Sequence, residues 1–253
     1  METTPVSIVG VGPGAIDLLT IRASNRIKEA DVLLWADSLI PEKVINLSTH
    51  DCEKIKTSNL TLEEILALLI ERHKKGKRVV RLHDGDPCLY GAISEQISGL
   101  ADAGIGVEVV PGISAYQATA STLKKELTIP GLVQTIVLSR AAGRTSVPEK
   151  ENLNKLASLR ASLCLYLSAR HINEVEKILL NHYPKNTPVA ICYKVSWEDE
   201  WIQIVPLSKM AETSKKRGLI RTTLYLISPA LEENNNRSQL YSPSHNHLFR
   251  PKG

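Results

Sequence analysis

The stretch "VVRLHDGDPCLYG", residues 79–91, decides the fold class of this chain. An apolar run ends in two aspartates around a glycine and then a proline, which indicates a strand followed by a tight loop. A similar arrangement occurs in "VEVVPGIS", residues 107–114, and a glycine-rich turn follows the first apolar run in "SIVGVGPGAIDLLT", residues 7–20. In an open α/β sheet, loops at the carboxyl ends of strands surround the ligand crevice. We therefore expect these three loops to form one site.

Short apolar runs alternate with segments of helical periodicity along the chain, which is typical of α/β proteins. The clearest helix is predicted in "TLEEILALLIERHKKG", residues 61–76, where Thr61 and Glu64 have capping-box spacing and Gly76 is placed to end the helix. In the second half the predicted strands follow one another more closely, which favours a mixed sheet.

The alternation of elements predicts two domains. We expect an N-terminal α/β domain over residues 1–122 and a C-terminal α/β domain over residues 123–231. Residues 232–253 lack apolar periodicity and are rich in Asn, Ser and Pro, which predicts a disordered tail.

Composition limits the classes of function. The 253 residues are 43% hydrophobic and carry a formal net charge of +4, which is less than a nucleic-acid-binding protein needs but suits a polyanionic small molecule. The four cysteines are widely separated and show no ligand spacing, so no metal site is predicted. Because neither a secretion signal nor an apolar run of membrane-spanning length is evident, we expect a cytoplasmic protein without a membrane partner.

The first glycine turn permits a dinucleotide interpretation. Gly10, Gly12 and Ala15 satisfy the loose pattern G-x-G-x-x-G/A, and Asp37 follows the next predicted strand, as in nicotinamide enzymes. Pro13 argues against this interpretation, since a pyrophosphate is held by backbone N–H groups and proline has none. A third interpretation is that the glycines only permit a tight turn.

The motifs "GVGPGAIDLLT", "RLHDGDPCLYG" and "VVPGISAYQA", in this order and spacing, resemble those of the tetrapyrrole (corrin/porphyrin) methyltransferases, which use S-adenosylmethionine. The resemblance continues in "AGRTSVPE", "LYLSA", "TPVAICYKVSWEDE" and "RTTLYLI", and so covers about residues 5–228. Within the family, "LIPEKV", "PGLVQTIVLSRAAGRTSVPE" and "YKVSWEDE" resemble the branch that methylates C11 of precorrin-4 or of its cobalt complex in corrin (vitamin B12) biosynthesis.

This resemblance implies two α/β domains with the cofactor in a cleft between them, a fold other than the dinucleotide-binding one, and a homodimer. Methylation of a different tetrapyrrole carbon remains an alternative. From other classes, an NAD-dependent dehydrogenase and a binding protein that keeps the fold without turnover also remain.

The resemblance further implies the residues of the site. The cofactor contacts are expected at Pro13, Asp84, Gly85, Asp86, Leu89, Ser114, Ala115, Leu167, Val195, Thr222 and Thr223. A macrocycle fringed with carboxylates needs basic side chains, so the substrate is expected at Arg140 and Arg144, with Asp37 also facing it. Methyl transfer depends on the alignment of the reacting atoms more than on acid and base catalysis, and the sequence identifies no catalytic residue.

Overall fold

The computed structural model describes residues 4–36, 39–143 and 145–232, which form two units. The first unit comprises the described residues up to Ala118 together with Lys194–Glu200. The second comprises Thr119–Tyr193 and the described residues from Trp201 onward. The proposed domain boundary between residues 122 and 123 stays a prediction.

The first unit contains a parallel sheet. Its strands are β1 (Val6–Gly10), β2 (Val32–Trp35), β3 (Glu53–Lys56), β4 (Val79–His83) and β5 (Val107–Val110), in the spatial order β3-β2-β4-β1-β5. In the register, Gly10 lies opposite His83 and Val9 lies opposite Val110. The carboxyl ends of the three strands β1, β4 and β5 are therefore level with one another.

Helices accompany this sheet, and the last of them continues past Ala118 into the second unit. They are α1 (Ile21–Glu29), α2 (Glu42–Ile45), α3 (Leu62–Lys74), α4 (Ile93–Asp102) and α5 (Ala115–Thr122), with a 3-10 turn at Ile16–Leu18. The capping box of α3 is confirmed: the Thr61 N–H donates to Glu64 Oε2 at 2.8 Å, and the Glu64 N–H donates to Thr61 Oγ1 at 3.3 Å. Ile65 and Leu69 of this helix are buried against the sheet.

The second unit contains a mixed sheet, as predicted. Its strands are β6 (Ile136–Arg140), β7 (Ser162–Tyr166), β8 (Pro188–Tyr193), β9 (Trp201–Pro206) and β10 (Thr223–Ile227), in the order β6-β7-β10-β8-β9. The pair β6–β7 is parallel, whereas β10 pairs antiparallel with both β7 and β8. The helices are α6 (Leu153–Ala157), α7 (Ile172–Leu180) and α8 (Met210–Lys216).

Two elements differ from the sequence expectation. The sequence predicts a helix near residues 149–159, but it is interrupted, since Asn152 accepts a hydrogen bond from the Lys155 N–H and so caps a new helix, α6. Strand β3 carries the charged sequence "EKIK", lies at a sheet edge and is largely exposed. Charged residues are common on edge strands because they discourage pairing with other chains, and they also remove the apolar signal.

None of the helices in the described parts of the chain combines the length and apolar character needed to span a bilayer.

Candidate active site

Three loops of the first unit meet where β1, β4 and β5 end. The Gly12 N–H donates to the Gly85 carbonyl at 3.2 Å, and the Gly85 N–H donates back to the Gly12 carbonyl at 2.8 Å. The third loop joins them through the Gly112 N–H, which donates to Asp86 Oδ2 at 3.0 Å. The expectation that these loops lie together is confirmed.

The contact among the loops is made by backbone atoms, and Gly112 makes it possible. A Cβ on Gly112 would overlap the Gly85 carbonyl oxygen and would approach Gly10 Cα within 3.1 Å. A residue with any side chain would force the loops after β4 and β5 apart. The small residue at position 112 is thus required by close packing.

The same geometry weakens the dinucleotide interpretation. The Gly12 N–H is bonded to Gly85 and cannot also point at a phosphate. The turn leads into the short 3-10 turn Ile16–Leu18, and α1 begins only at Ile21, so the glycines do not form the N-terminus of a long helix. The first turn is built to join a neighbouring loop.

Asp86 uses both carboxylate oxygens inside the protein. Oδ1 accepts from the Cys88 N–H at 2.8 Å, and Oδ2 accepts from the Gly112 N–H. Leu89, also predicted to contact the cofactor, donates its N–H to the Asp86 carbonyl at 3.1 Å. Asp86 therefore ties the loops after β4 and β5 together, and its contact with a cofactor stays a prediction.

Asp84 differs from Asp86 because its side chain reaches solvent, although much of its surroundings is protein, and it forms no ion pair within the described part of the chain. Desolvation by the surrounding protein raises the pKa of its carboxyl. A positively charged ligand group beside it would favour the ionised carboxylate. Asp84 therefore suits the neighbourhood of an ammonium or a sulfonium.

Two basic side chains lie just below this loop on β4, and sequence analysis did not assign them a role. Arg81 is 7% exposed, and its Nη1 donates to Thr57 Oγ1 at 2.8 Å. Burial lowers the pKa of Arg81 to about 10, and burial together with the Arg81 charge lowers the pKa of His83 to about 4. The imidazole is thus neutral near pH 7. The sequence signal that could have identified Arg81 is its position as a charged residue inside the apolar run "VVRLH", residues 79–83.

The loop after β5 presents the predicted small pair. Ser114 is buried, and its N–H donates to Gln117 Oε1 at 2.9 Å, which helps to start α5. Ala115 is half-buried and is the first residue of that helix. Ser114 lies beside the Gly85 loop, since a Cβ on Gly85 would meet Ser114 Cα at 3.7 Å.

The segment Lys194–Glu200 belongs to the first unit and contacts the turn after β1. The Ala15 N–H donates to Ser196 Oγ at 3.0 Å, and Trp197 Nε1 donates to the Pro13 carbonyl at 2.8 Å. Val195, predicted to contact the cofactor, is 4% exposed, and its contact with a cofactor stays a prediction. The motif "YKVSWEDE" indicates that this segment belongs to the site, but it does not predict the contacts of Ser196 and Trp197.

In the second unit the predicted residues lie at the same end of two neighbouring central strands, β7 and β10. Thr223 is the first residue of β10 and pairs with Tyr193 in the register. Leu167 follows the end of β7. Leu167 is 69% exposed with a φ of 51°, and Thr222 has a φ of 52°. Left-handed backbone at residues with side chains is costly, and it occurs in turns as well as at functional sites.

Of the three predicted substrate residues, Arg140 is the one that lies in the described part of the chain. The Arg140 guanidinium donates to the carbonyls of Thr145 at 3.1 Å and Ser146 at 2.7 Å, so it braces its own loop. Asp37 and Arg144 lie outside the described residues. Substrate binding by all three stays a prediction.

Over the ranges that the structure describes, His, Cys, Asp and Glu side chains form no group that could hold a metal ion.

Relatives of known name match almost the whole chain. A cobalt-precorrin-4 C(11)-methyltransferase of Methanocaldococcus jannaschii is 41% identical over 247 residues, covering 97% of this chain and 95% of that protein. A precorrin-4 C(11)-methyltransferase of Pseudomonas aeruginosa is 40% identical over 248 residues, covering 97% of this chain and 98% of that protein.

Solved structures agree with these relatives. An X-ray structure of a cobalt precorrin-4 methyltransferase matches with a TM-score of 0.88 at 38% identity, over 90% of this chain and 96% of that one. A uroporphyrin-III C-methyltransferase of Thermus thermophilus, solved with S-adenosylhomocysteine, matches with a TM-score of 0.75 at 26% identity, over 90% and 93% of the two chains. The family model for tetrapyrrole (corrin/porphyrin) methylases matches residues 5–211, and the chain belongs to that family.

Proposed function

We propose that this chain is an S-adenosylmethionine-dependent methyltransferase that methylates C11 of precorrin-4 or cobalt-precorrin-4 in corrin biosynthesis. The observation that carries the proposal is the identity of 40–41%, over nearly the full length, to relatives named for this one reaction. The alternative within the family is methylation of a different tetrapyrrole carbon.

The loops of the first unit suit this methyl donor chemically. The donor carries an ammonium and a sulfonium, and Asp84 is an exposed carboxylate that a nearby cation would complement. Pro13, Gly85 and Ser114 lie on the three loops that meet, and none of them has a long side chain. These contacts remain part of the proposal.

When bound, S-adenosylmethionine supplies an electrophilic methyl group whose departure leaves a neutral thioether. The chain's own contribution is to hold the reacting atoms close and in line. The mutual bonds of Gly12 and Gly85 and the Asp86 link fix the loops before any ligand arrives. Such preorganisation means that no loop has to be ordered at the moment of reaction.

The second unit contributes Leu167, Thr222 and Thr223 to the proposal. Leu167 offers an apolar surface for the adenosine. Thr222 and Thr223 offer backbone groups at the same end of the neighbouring strand. Carboxylates of the tetrapyrrole require cations, for which Arg140 and Arg144 are proposed, while Asp37 is proposed to face the macrocycle. A homodimer and a cytoplasmic location complete the proposal.

Ligand-induced stabilisation tests the cofactor. S-adenosylhomocysteine at 100 times its Kd should stabilise the protein by about 2.7 kcal/mol, whereas NADH should leave the melting temperature unchanged. The reverse result would support a dehydrogenase and contradict the proposal.

Product analysis tests the reaction itself. Incubation with ¹³C-methyl donor and either precorrin-4 or its cobalt complex should place the label on C11 in the NMR spectrum of the product. Label on another ring carbon would establish the alternative, and comparison of the two substrates would show which form is used.

A further inference from the structure

The turn Pro13–Gly14–Ala15 is held from outside by two side chains that are distant in sequence. The Trp197 indole N–H donates to the Pro13 carbonyl at 2.8 Å, and Ser196 Oγ accepts from the Ala15 N–H at 3.0 Å. Between these bonds the indole lies against Gly14, where a Cβ would overlap the ring. Every residue of the turn is thus in contact with Ser196 or Trp197.

The segment that carries these side chains is itself braced. The Ser196 N–H donates to Glu200 Oε2 at 2.6 Å, and Lys194 Nζ bonds Asp199 Oδ2 at 2.6 Å. Lys194 Nζ also lies 5.0 Å from the centre of the Trp197 ring, within the range of a cation–π contact. The indole is consequently held by Lys194 as well as by its bond to the Pro13 carbonyl.

The backbone of the segment adopts a conformation that requires compensation. Lys194 has a φ of 48° and Ser196 a φ of 67°, in the left-handed region that is unfavourable for residues with side chains. Such a conformation persists only where surrounding contacts enforce it. The bonds to Ala15, Pro13 and Glu200 are the contacts that enforce it here.

We propose that Ser196 and Trp197 are positioning residues for methyl-donor binding, which they assist by holding the Pro13–Ala15 turn in its binding conformation. The inference rests on the proposed function, because it assumes that Pro13 lies against the donor. Neither side chain acts on the reacting atoms. Their effect should therefore appear in the affinity for the donor and its product, and the rate of the bound complex should be nearly unchanged.

The test uses Trp197→Phe, which keeps an aromatic ring on Gly14 but removes the donor to the Pro13 carbonyl. Ser196→Ala removes the acceptor for the Ala15 N–H. Loss of one hydrogen bond at a binding turn should raise the Kd of S-adenosylhomocysteine roughly three- to tenfold in titration calorimetry. The KM for S-adenosylmethionine should rise in parallel, while kcat and the KM for the tetrapyrrole stay within about twofold.

Trp201→Phe is the matched control. It removes an indole N–H from a ring of the second unit that lies 5.2 Å from the Arg217 guanidinium and takes no part in the contacts with the turn. Its Kd for S-adenosylhomocysteine should equal that of the wild type. Thermal unfolding of all variants identifies any that have lost their fold.

The outcomes separate the two claims. A wild type that binds S-adenosylhomocysteine, with folded variants at positions 196 and 197 that bind it equally well, overturns the positioning role and leaves the proposed function intact. Variants with a lowered melting temperature and an unchanged Kd also overturn it, since the contacts would then be purely structural. A folded wild type that does not bind S-adenosylhomocysteine overturns the proposed function, and the positioning role with it.

Discussion

Gly112 leaves no space for even one methyl group beside the Gly85 carbonyl. We expect Gly112→Ala to lower the free energy of unfolding by about 2 kcal/mol, the usual cost of overpacking, and to weaken S-adenosylhomocysteine binding. Urea unfolding and calorimetry measure the two effects. Gly106→Ala is the control, because a Cβ there would meet only Pro5 Cβ at 3.8 Å. Equal behaviour of the two variants would contradict the close-packing argument.

His83 should make stability depend on pH. Burial and the Arg81 charge lower its pKa from 6.5 to about 4, so between these values the unfolded chain binds a proton that the folded chain does not. The free energy of unfolding should therefore fall as the pH falls from 6.5 towards 4, by on the order of 1–2 kcal/mol from His83 by pH 5. Urea unfolding at pH 7.5 and pH 5 measures this.

His83→Gln should remove the contribution of His83 to the pH dependence of the free energy of unfolding. Carboxylates with lowered pKa values, such as Glu108 beside Arg26, lose their stabilising effect only below about pH 4.5, outside the window used. An unchanged slope between pH 6.5 and 5 in the variant would show that His83 is not the titrating group.

At the scale of elements, Asp86 is the link between the loops after β4 and β5. Asp86→Asn keeps one carbonyl oxygen as an acceptor, whereas Asp86→Ala removes both, so the loss of S-adenosylhomocysteine affinity should be larger for Ala than for Asn. Calorimetry measures the affinities, and circular dichroism checks that both variants remain folded. Wild-type affinity in the folded Ala variant would exclude a role for Asp86 in arranging the site.

The elements that the sequence predicts well are those with a strong local signal. Strands β1 and β4 are apolar runs, and α3 has its capping box, so the sequence predicts each close to its observed bounds. Strand β3 was missed because its charged residues suit a sheet edge and give no apolar pattern. The break at Asn152 was missed because a cap in the middle of a helical pattern changes the periodicity little.

For the whole molecule, the site was predictable only in part. The three loops follow neighbouring strands, so motif order and sheet topology are enough to bring them together. The contacts of Ser196 and Trp197 with residues 13–15 join positions about 180 residues apart, and no periodicity or spacing encodes such a pair. Likewise, the bonds from Arg140 to the carbonyls of its own loop depend on the conformation of that loop, so the sequence pattern does not predict them.

Deleting residues 233–253 should leave methyl transfer and the melting temperature unchanged. The loops described above lie within residues 4–232, and the cut preserves the bond from Lys125 Nζ to the Glu232 carbonyl at 3.0 Å. Activity with precorrin-4 and thermal unfolding measure the effect. A folded but inactive truncation would show that the deleted residues take part in function.

The late position of Lys194–Glu200 in the chain has a consequence for biosynthesis. A ribosome releases β1 to β5 first, yet the residues that hold the Pro13–Ala15 turn emerge only after all of Thr119–Tyr193 has been translated. At a translation rate of about 5–20 residues per second, several seconds pass between the synthesis of the parallel sheet and that of Lys194–Glu200. A polypeptide stalled before Lys194 thus carries the parallel sheet with its first turn unsecured.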